Sequence, residues 1–186
     1  MAGDIIIGCW VVFLLYWFVN AWAVKPTAEQ QSVLSGIAYR TPLIIGVLFI
    51  VNRRLFGSLD RPLAAVANRL ESLGAALCVL GLLGAIWSRR TLAGNWSSRV
   101  TFKEGHELIE TGPYGFVRHP IYTSLLLMLL GTVVGGNSLV AWFGLPFYLL
   151  GFWIKLKQEE QLLTRHFPDT YPAYKKRVKA LIPFIL

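Results

Sequence analysis

The chain has 186 residues, room for one domain, and 55% of them are hydrophobic while only 15% are charged. With a mean hydropathy of +0.53, this composition is typical of an integral membrane protein and excludes an ordinary soluble domain. The formal net charge of +8 is spread over the loops beside apolar segments. We interpret it as membrane topology and attraction to anionic membrane lipids, and we expect no nucleic-acid partner because no recognition module is visible.

Five apolar segments predict an all-α integral membrane protein with about five transmembrane helices and a cytoplasmic C-terminal helical segment. Crossing a bilayer takes about 20 apolar residues per helix. The first segment, residues 5–24, lacks a signal-peptide cleavage pattern, so we expect a retained anchor. The second, residues 33–51, contains Arg40, which needs a partner, a water-filled cleft or a place near the interface. The third spans residues 73–87.

The last two segments predict a helical hairpin. Residues 120–154 contain no charge, and Gly135-Gly136-Asn137-Ser138 lies near their middle. This pattern fits two short helices joined by a tight turn. A hairpin returns its two flanking polar segments to the same membrane face, so Arg118-His119 and Glu159-Glu160 are predicted to be neighbours. We expect the chemistry of the protein at this cluster.

The distribution of Lys and Arg predicts the orientation, because basic residues are retained on the cytoplasmic side. With five spans, the loops after the first and third spans and the C-terminus share one side, which holds 13 of the 18 Lys and Arg residues. The polar link at residues 52–72, where Asp60-Arg61-Pro62 predicts a turn and a helix start, lies on the other side. The cluster beside the hairpin is therefore expected to face the cytoplasm.

The polar segments beside the hairpin predict four short elements. Residues 96–102 suggest an extended piece and residues 103–106 a turn. Residues 155–167 predict a helix that leaves the membrane, and residues 171–181 a second, basic helix.

Arg118-His119-Pro120 stands where a helix is predicted to enter the membrane. Proline is favoured in a first helical turn, which places Arg118 and His119 near free amides and the positive end of the helix dipole. Such helix ends bind carboxylates and phosphates, and an Arg can add a bidentate contact. The alternative is that Arg118 and His119 are ordinary interfacial residues whose side chains extend to the lipid headgroups. The surrounding Gly112-Pro113-Tyr114 and Tyr122 favour a site.

Glu159 and Glu160 are adjacent acids in an otherwise basic helix. Local salt bridging is one interpretation, because Lys155 has a suitable helical spacing from Glu159. The other is that one acid faces the Arg118-His119 cluster and binds a cationic group while the second acid pairs. Adjacent helical residues point about 100° apart, so we expect the two acids to have different roles.

The remaining His and Cys residues give weaker signals. His106 and His166 are both compatible with surface positions, and we favour His106 because it lies in the segment that leads to Gly112. Cys9 and Cys78 lie inside predicted spans, where a free Cys behaves as a small apolar residue. No Cys and His spacing is typical of a metal site, so we expect no metal.

Two blocks of residues, separated by the hairpin, form a pattern. They are His106-Glu107-Leu108-Ile109, Thr111-Gly112-Pro113-Tyr114 and Arg118-His119-Pro120-Ile121-Tyr122, then Glu159-Glu160 with Leu163, Phe167, Tyr171, Tyr174, Val178 and Pro183. This pattern resembles the C-terminal half of the isoprenylcysteine carboxyl methyltransferases and is similar to that of the related phospholipid N-methyltransferases. We treat residues 1–186 as a single membrane methyltransferase domain, with N-terminal spans without motif at 1–72 and a cofactor-binding half at 90–184.

The resemblance implies an enzyme that transfers a methyl group from S-adenosylmethionine to a lipophilic substrate, either isoprenylcysteine-carboxylate-like or aminophospholipid-like, that enters from the bilayer. A carboxylate acceptor needs no general base, whereas an amine must lose a proton to one of the acids. Arg118 and Glu159 would be the catalytic residues. The implied cofactor pocket consists of His106, Tyr114, Arg118, His119, Pro120, Tyr122, Glu159 and Glu160. The alternative is a non-catalytic lipid-binding or scaffold membrane module that retains the fold.

The chain departs from the family pattern at positions next to the implied site. Lys155 or Lys157 stands where an Arg is common, and Lys and Arg are not equivalent in bidentate recognition of a carboxylate. Ser124 and Pro168 each replace a usual Gly.

Overall fold

The computed structural model describes residues 1–51, 56–57 and 67–185. In this part of the chain, two short strands pair antiparallel, β1 (Thr27–Gln30) and β2 (Thr101–Lys103). All other regular elements are helical, which confirms the all-α fold class. The α-helices are α1 (Ala2–Val19), α2 (Val33–Val51), α3 (Ala67–Leu92), α4 (Pro120–Gly136), α5 (Leu139–His166) and α6 (Tyr171–Arg177).

The helices α1, α2, α3 and α5 are each long and apolar enough to cross a membrane, and α4 is a shorter apolar helix of 17 residues. Large apolar side chains on their outer faces are exposed, among them Leu14, Phe18, Val47 and Leu83. Helices satisfy their own backbone hydrogen bonds, so such faces can lie against lipid. The chain is an integral membrane protein.

The first predicted span extends too far. The first span ends at Val19 and not at residue 24, because the backbone leaves the helix at Asn20, whose side-chain amide donates to the carbonyl of Tyr16 (2.8 Å). The strand β1 follows soon after. The predicted helix at 155–167 is confirmed as the last part of the 28-residue helix α5, which ends at His166. The predicted turn at Asp60-Arg61-Pro62 lies outside the described residues.

The predicted hairpin is confirmed. Asn137 ends α4 in the left-handed conformation (φ 43°), and the Oγ of Ser138 accepts a hydrogen bond from the amide of Ala141 (3.2 Å) to cap α5. Pro120 is the first residue of α4, as predicted, and His119 precedes it as the N-cap. The start of α4 and the end of α5 therefore lie at the same end of the bundle.

Glycines allow the helices to pack backbone against backbone. A Cβ atom on Gly74 of α3 would lie 2.4 Å from the carbonyl oxygen of Gly131 on α4, and one on Gly131 would lie 2.5 Å from that of Gly74. Likewise, a Cβ on Gly144 of α5 would lie 2.8 Å from the carbonyl oxygen of Gly46 on α2. Small residues at helix contacts are a common solution in membranes, where close packing replaces the hydrophobic effect. The bundle is thus built from the pairs α3–α4 and α2–α5.

Residues 178–181, which we name the C-terminal strap, close the polar end of the bundle. The backbone amides of Arg118 and His119 donate to the carbonyls of Lys179 (2.8 Å) and Ala180 (3.0 Å). This pairing needs an extended strap, so the predicted helix at 171–181 is wrong beyond the end of α6.

We expect Gly74→Ala to destabilise the protein. The added methyl group would overlap the α4 backbone, and overpacking of this kind costs about 1–3 kcal/mol. The matched control is Gly8→Ala on α1, because a Cβ there would meet no atom within 4 Å. Thermal unfolding in detergent should show a lower midpoint for Gly74→Ala than for the control, and equal midpoints would refute the close α3–α4 contact.

Candidate active site

A cavity of about 290 Å³ lies at the polar end of the bundle, among α1, α2, α4, α5 and the segment that joins α3 to α4. Six of the eight predicted cofactor residues line it: His106, Tyr114, Arg118, His119, Tyr122 and Glu159. The other two do not line this cavity. Pro120 is buried at the start of α4, and Glu160 is buried against Arg118.

Arg118 and Glu160 form a buried ion pair. The Nε of Arg118 donates to Glu160 Oε1 (2.9 Å), and Nη2 donates to the same oxygen. Nη1 donates to the carbonyl of Val178 in the C-terminal strap and to that of Lys175 (3.2 Å) in α6. The ammonium of Lys175 lies 2.7 Å from Glu160 Oε2. The guanidinium therefore ties the entry of α4 to α5, α6 and the strap.

Glu159 is the acid that faces the cavity. Its Oε1 accepts a hydrogen bond from the hydroxyl of Tyr122 (2.5 Å) and lies 3.8 Å from Lys155 Nζ, and its Oε2 lies 3.6 Å from His119 Nδ1. The predicted proximity of Arg118-His119 to Glu159-Glu160 is confirmed by these contacts and by the buried ion pair. The two acids have unlike surroundings, as their helical spacing requires.

His119 lies between the two carboxylates. Its ring stacks on that of Tyr122 (centroids 5.5 Å apart), and its Nε2 lies 3.6 Å from Glu160 Oε1. Burial lowers the pKa of His119, but the neighbouring carboxylates of Glu159 and Glu160 outweigh burial, so this pKa is raised above its ordinary value. A protonated His119 would balance negative charge at the edge of the cavity.

Lys155 is a buried cavity residue that was not among the predicted site residues. Its ammonium donates to the carbonyl of Ser98 (2.9 Å) and lies 5.3 Å from the ring centroid of Tyr122. Two sequence signals pointed to it: the helical spacing to Glu159 and the family position at which Arg is common. Lys157, the other candidate for the family's Arg position, is exposed, and its ammonium lies over the ring of Trp153 (4.6 Å).

Four cavity-lining residues have a buried side-chain polar atom without a hydrogen-bond partner in the described part of the chain. Most such atoms in folded proteins have a partner, so those of Asn95, Thr101 and His106 point to the positions of polar ligand groups. His119 Nε2 instead faces Glu160 Oε1 at 3.6 Å. Burial lowers the pKa of His106 to about 4, which leaves its ring neutral near pH 7. The atoms are Asn95 Oδ1, Thr101 Oγ1, His106 Nδ1 and His119 Nε2.

The remaining wall of the cavity is apolar and was not predicted. It combines side chains of α1, α2, α4 and α5 with one from the segment after α3. Trp and Leu are ordinary in membrane helices, so no sequence signal distinguished these residues from lipid-facing ones. They include Trp17, Leu43, Trp96, Leu125 and Phe152.

Tyr114 and His166 support the walls of the cavity. The hydroxyl of Tyr174 donates to the carbonyl of Tyr114 (2.6 Å), and burial raises the pKa of the Tyr114 phenol. His166 does not line the cavity. Its ring stacks on that of Phe102 (3.6 Å), which in turn stacks on His106 (4.8 Å), and its Nε2 lies 2.7 Å from Glu29. His166 therefore has a structural role in packing Phe102 and pairing with Glu29, beyond the surface position that the sequence allowed.

We expect Arg118→Gln to release the C-terminal strap. Removing one partner of a buried ion pair leaves the other charge uncompensated and costs about 3–5 kcal/mol. Amide hydrogen exchange over residues 171–181 should therefore become faster. The control is Arg165→Gln, because Arg165 is 61% exposed and its pair with Glu29 spans 3.4 Å at the surface. Unchanged exchange in Arg118→Gln would refute this role.

The family model for isoprenylcysteine carboxyl methyltransferases matches residues 74–165, which include most of the residues that line the cavity. The protein-S-isoprenylcysteine O-methyltransferase of Saccharomyces cerevisiae is 32% identical over 182 residues, which cover 93% of this chain and 75% of that relative.

Two further relatives have names that refer to metal resistance. The nickel-cobalt-cadmium resistance protein NccN of Alcaligenes xylosoxydans xylosoxydans is 31% identical over 60% of this chain and 52% of its own length. The cobalt-zinc-cadmium resistance protein CzcN of Cupriavidus metallidurans is 28% identical over 74% of this chain and 60% of its own length. The chain thus spans about half to three fifths of these two relatives. From the family match and the yeast relative, this chain belongs to the isoprenylcysteine carboxyl methyltransferase family.

Proposed function

We propose that this protein transfers a methyl group from S-adenosylmethionine to the carboxylate of a lipophilic, isoprenylcysteine-like substrate. The observation that supports this most is the cavity itself, in which unpaired polar atoms and charged side chains meet an apolar wall built from membrane helices. Family membership and the names of relatives in Saccharomyces cerevisiae and Schizosaccharomyces pombe, both protein-S-isoprenylcysteine O-methyltransferases, support it further.

The cavity suits the chemical groups of S-adenosylmethionine, which offers an ammonium, a carboxylate and a nucleoside. Glu159 is the carboxylate that lines the cavity, and we assign it to the cationic end of the cofactor. The unpaired atoms of Asn95, Thr101 and His106 suit its neutral polar groups. The bound cofactor supplies a methyl group already activated on sulfur, so the side chains need only bind, orient and exclude water.

The charges around the cavity favour a carboxylate acceptor over an amine. Lys155 and Arg99 both line the cavity and can attract a carboxylate. An amine acceptor would need Glu159 or Glu160 as a general base, but Glu159 is assigned to the cofactor and Glu160 is paired with Arg118. A carboxylate needs no base, so its methylation demands less of these residues.

Arg118 has a positioning role in this proposal. Its nitrogens already donate to Glu160 and to backbone carbonyls, so it holds the walls of the pocket rather than the acceptor. His119 and Tyr122 orient Glu159 from the other side. The apolar wall, with Trp17 and Leu43 from the first two spans, would receive a prenyl chain that enters from the bilayer.

A non-catalytic scaffold explains the cavity less well. Buried charges contribute little net stability, because their desolvation offsets their attraction. A scaffold would gain nothing from placing Glu159, Lys155 and His119 around a cavity with unpaired polar atoms. Binding of a polar ligand would account for this arrangement of charged and unpaired groups.

The active site would face the cytoplasm. The loops that meet at the cavity end hold most of the basic residues, which are retained on the cytoplasmic side. Reporter fusions after Gly136 and after the last residue should then lie on opposite sides of the membrane, with the second one cytoplasmic. Both reporters on one side would contradict the five-span topology.

Calorimetry with S-adenosylhomocysteine should detect saturable binding to the purified protein. Loss of a charge-assisted contact costs about 1.5–3 kcal/mol, or roughly one to two decades in affinity, so Glu159→Gln should weaken binding by that amount. Arg165→Ala serves as the control, because Arg165 lies outside the cavity and is largely exposed. No saturable binding to the unmodified protein would favour the scaffold.

A methyl-transfer assay should distinguish the acceptor classes. With labelled S-adenosylmethionine, S-farnesylcysteine should give a base-labile methyl ester, whereas phosphatidylethanolamine should remain unmethylated. Lys155→Gln should lower kcat/KM for S-farnesylcysteine about 10- to 100-fold, the typical effect of losing one charge-assisted contact. Binding of S-adenosylhomocysteine to this variant should change less. A base-stable N-methyl product would instead establish the amine acceptor.

A further inference from the structure

A second, smaller cavity of about 130 Å³ lies where the start of α2 meets the segment before β2. Two guanidinium-bearing side chains, Arg40 and Arg99, line it, and the lining contains no acidic residue. Arg99 also lines the large cavity, so the two cavities are neighbours. The other lining residues are mostly polar or small: Gln30, Gln31, Ser32, Val33, Ser35, Gly36, Tyr39 and Val100.

Arg40 is the only charged residue of α2. It stands seven residues after the first residue of the helix, roughly 10 Å along its axis at 1.5 Å per residue. A Cβ on Gly36, one turn nearer the helix start, would lie 3.3 Å from Nη1 of Arg40. The guanidinium therefore lies back along the helix toward the polar end, in space that the absence of a side chain at Gly36 provides. An ionisable residue in a membrane helix is a candidate functional residue by default.

Arg40 and Arg99 have no counter-charge among the residues that line this cavity. Tyr39 separates Arg40 from Lys155: its ring centroid lies 5.4 Å from the Arg40 guanidinium and 5.4 Å from the Lys155 ammonium. In the described part of the chain, the ion pairs include neither Arg40 nor Arg99. The acid nearest to Arg40 along the chain, Glu29, is already paired with Arg165 and His166. Arg40 and Arg99 thus line one cavity, and no acidic residue in its lining compensates their charges.

The first turn of α2 adds polar side chains and a favourable dipole. Ser32 and Ser35 line the cavity at the start of this 19-residue helix, where the positive end of the helix dipole attracts an anion. Gln31 is held in place, because its amide donates to the carbonyl of Gln158 (3.2 Å) and its oxygen accepts from the Ser35 hydroxyl (2.6 Å). The wall of the cavity is therefore preformed.

Apolar side chains beside the cavity indicate the source of the anion. Val33 and Leu34, in the first turn of α2, are 74% and 77% exposed, and Ile37 on the next turn is 50% exposed. Acyl chains could lie along this apolar face while a phosphate contacts the guanidinium groups. A free phosphate would leave the apolar face unused.

We propose that Arg40 and Arg99 form a binding site for the phosphate of a membrane phospholipid, beside the methyl-transfer cavity, with which it shares Arg99. Arg is suited to this task because its planar fork binds phosphate oxygens in a bidentate manner. A phosphate bound here joins α2 to the segment before β2 and neutralises the charges next to Lys155. Phosphate binding at this site does not require the proposed methyl transfer.

The test is calorimetric binding of short-chain phosphatidylglycerol to the full chain in a phosphate-free maltoside detergent. The unmodified protein should bind this lipid saturably, and both Arg40→Gln and Arg99→Gln should weaken binding at least tenfold. The matched control is Arg90→Gln, an exposed Arg that lines neither cavity, which should bind as the unmodified protein does. Equal binding by Arg40→Gln, or no saturable binding at all, would overturn the proposal.

Two further arms separate the alternatives. Titration with inorganic phosphate tests the source: binding of phosphate without the lipid, lost in Arg40→Gln, would keep the phosphate site and overturn the membrane source. Titration of Arg40→Gln with S-adenosylhomocysteine should match the unmodified protein, which shows that the variant is folded. If S-adenosylhomocysteine bound to neither protein while the lipid bound as expected, methyl transfer would fail and the phosphate site would stand.

Discussion

The buried ion pair of Arg118 and Glu160 is the interaction on which the polar end of this protein depends. One guanidinium contacts α5 through Glu160, α6 through the carbonyl of Lys175 and the C-terminal strap through that of Val178. Arg118 immediately precedes His119, the N-cap of α4. Buried charges stabilise only when every donor and acceptor has a partner, and this pair comes close to that condition. Since Glu160 points into this pair, the preceding residue on the helix, Glu159, faces the cavity.

The cavity combines two environments that rarely adjoin. Its polar wall comes from the loop after α3 and from the ends of α4 and α5, where His119, Tyr122, Glu159 and Lys155 form one connected group. Its other wall comes from the membrane spans. The proposed methyl transfer, from a polar cofactor to a lipophilic acceptor, needs both environments in one place, because a polar wall binds the first and an apolar wall binds the second. The close packing of glycines in α3–α4 and α2–α5 holds these walls together.

Much of the site could be predicted because it depends on local sequence. Pro120 marks a helix start, the charge-free stretch with Asn137 at its turn predicts a hairpin, and a hairpin brings Arg118 and Glu159 to one face. The residues that sequence reasoning missed are those whose role depends on non-local contacts. Strand β1 is four residues long and exists only because β2, seventy residues later, pairs with it. The C-terminal strap is extended because the amides of Arg118 and His119 require its carbonyls.

The sequence by itself determined the membrane-spanning character, the helical class and the family, because hydropathy, charge distribution and short motifs are properties of neighbouring residues. Only the tertiary structure decided which acid faces the cavity, that Lys155 rather than Lys157 is buried beside it, and that Trp17 and Leu43 complete its wall. The physical reason is geometric. The same apolar residue types face lipid and protein in a membrane helix, so the local sequence does not show which way a residue points. The rotation of each helix is set by close contacts such as that of Gly74 with Gly131, which no local pattern encodes.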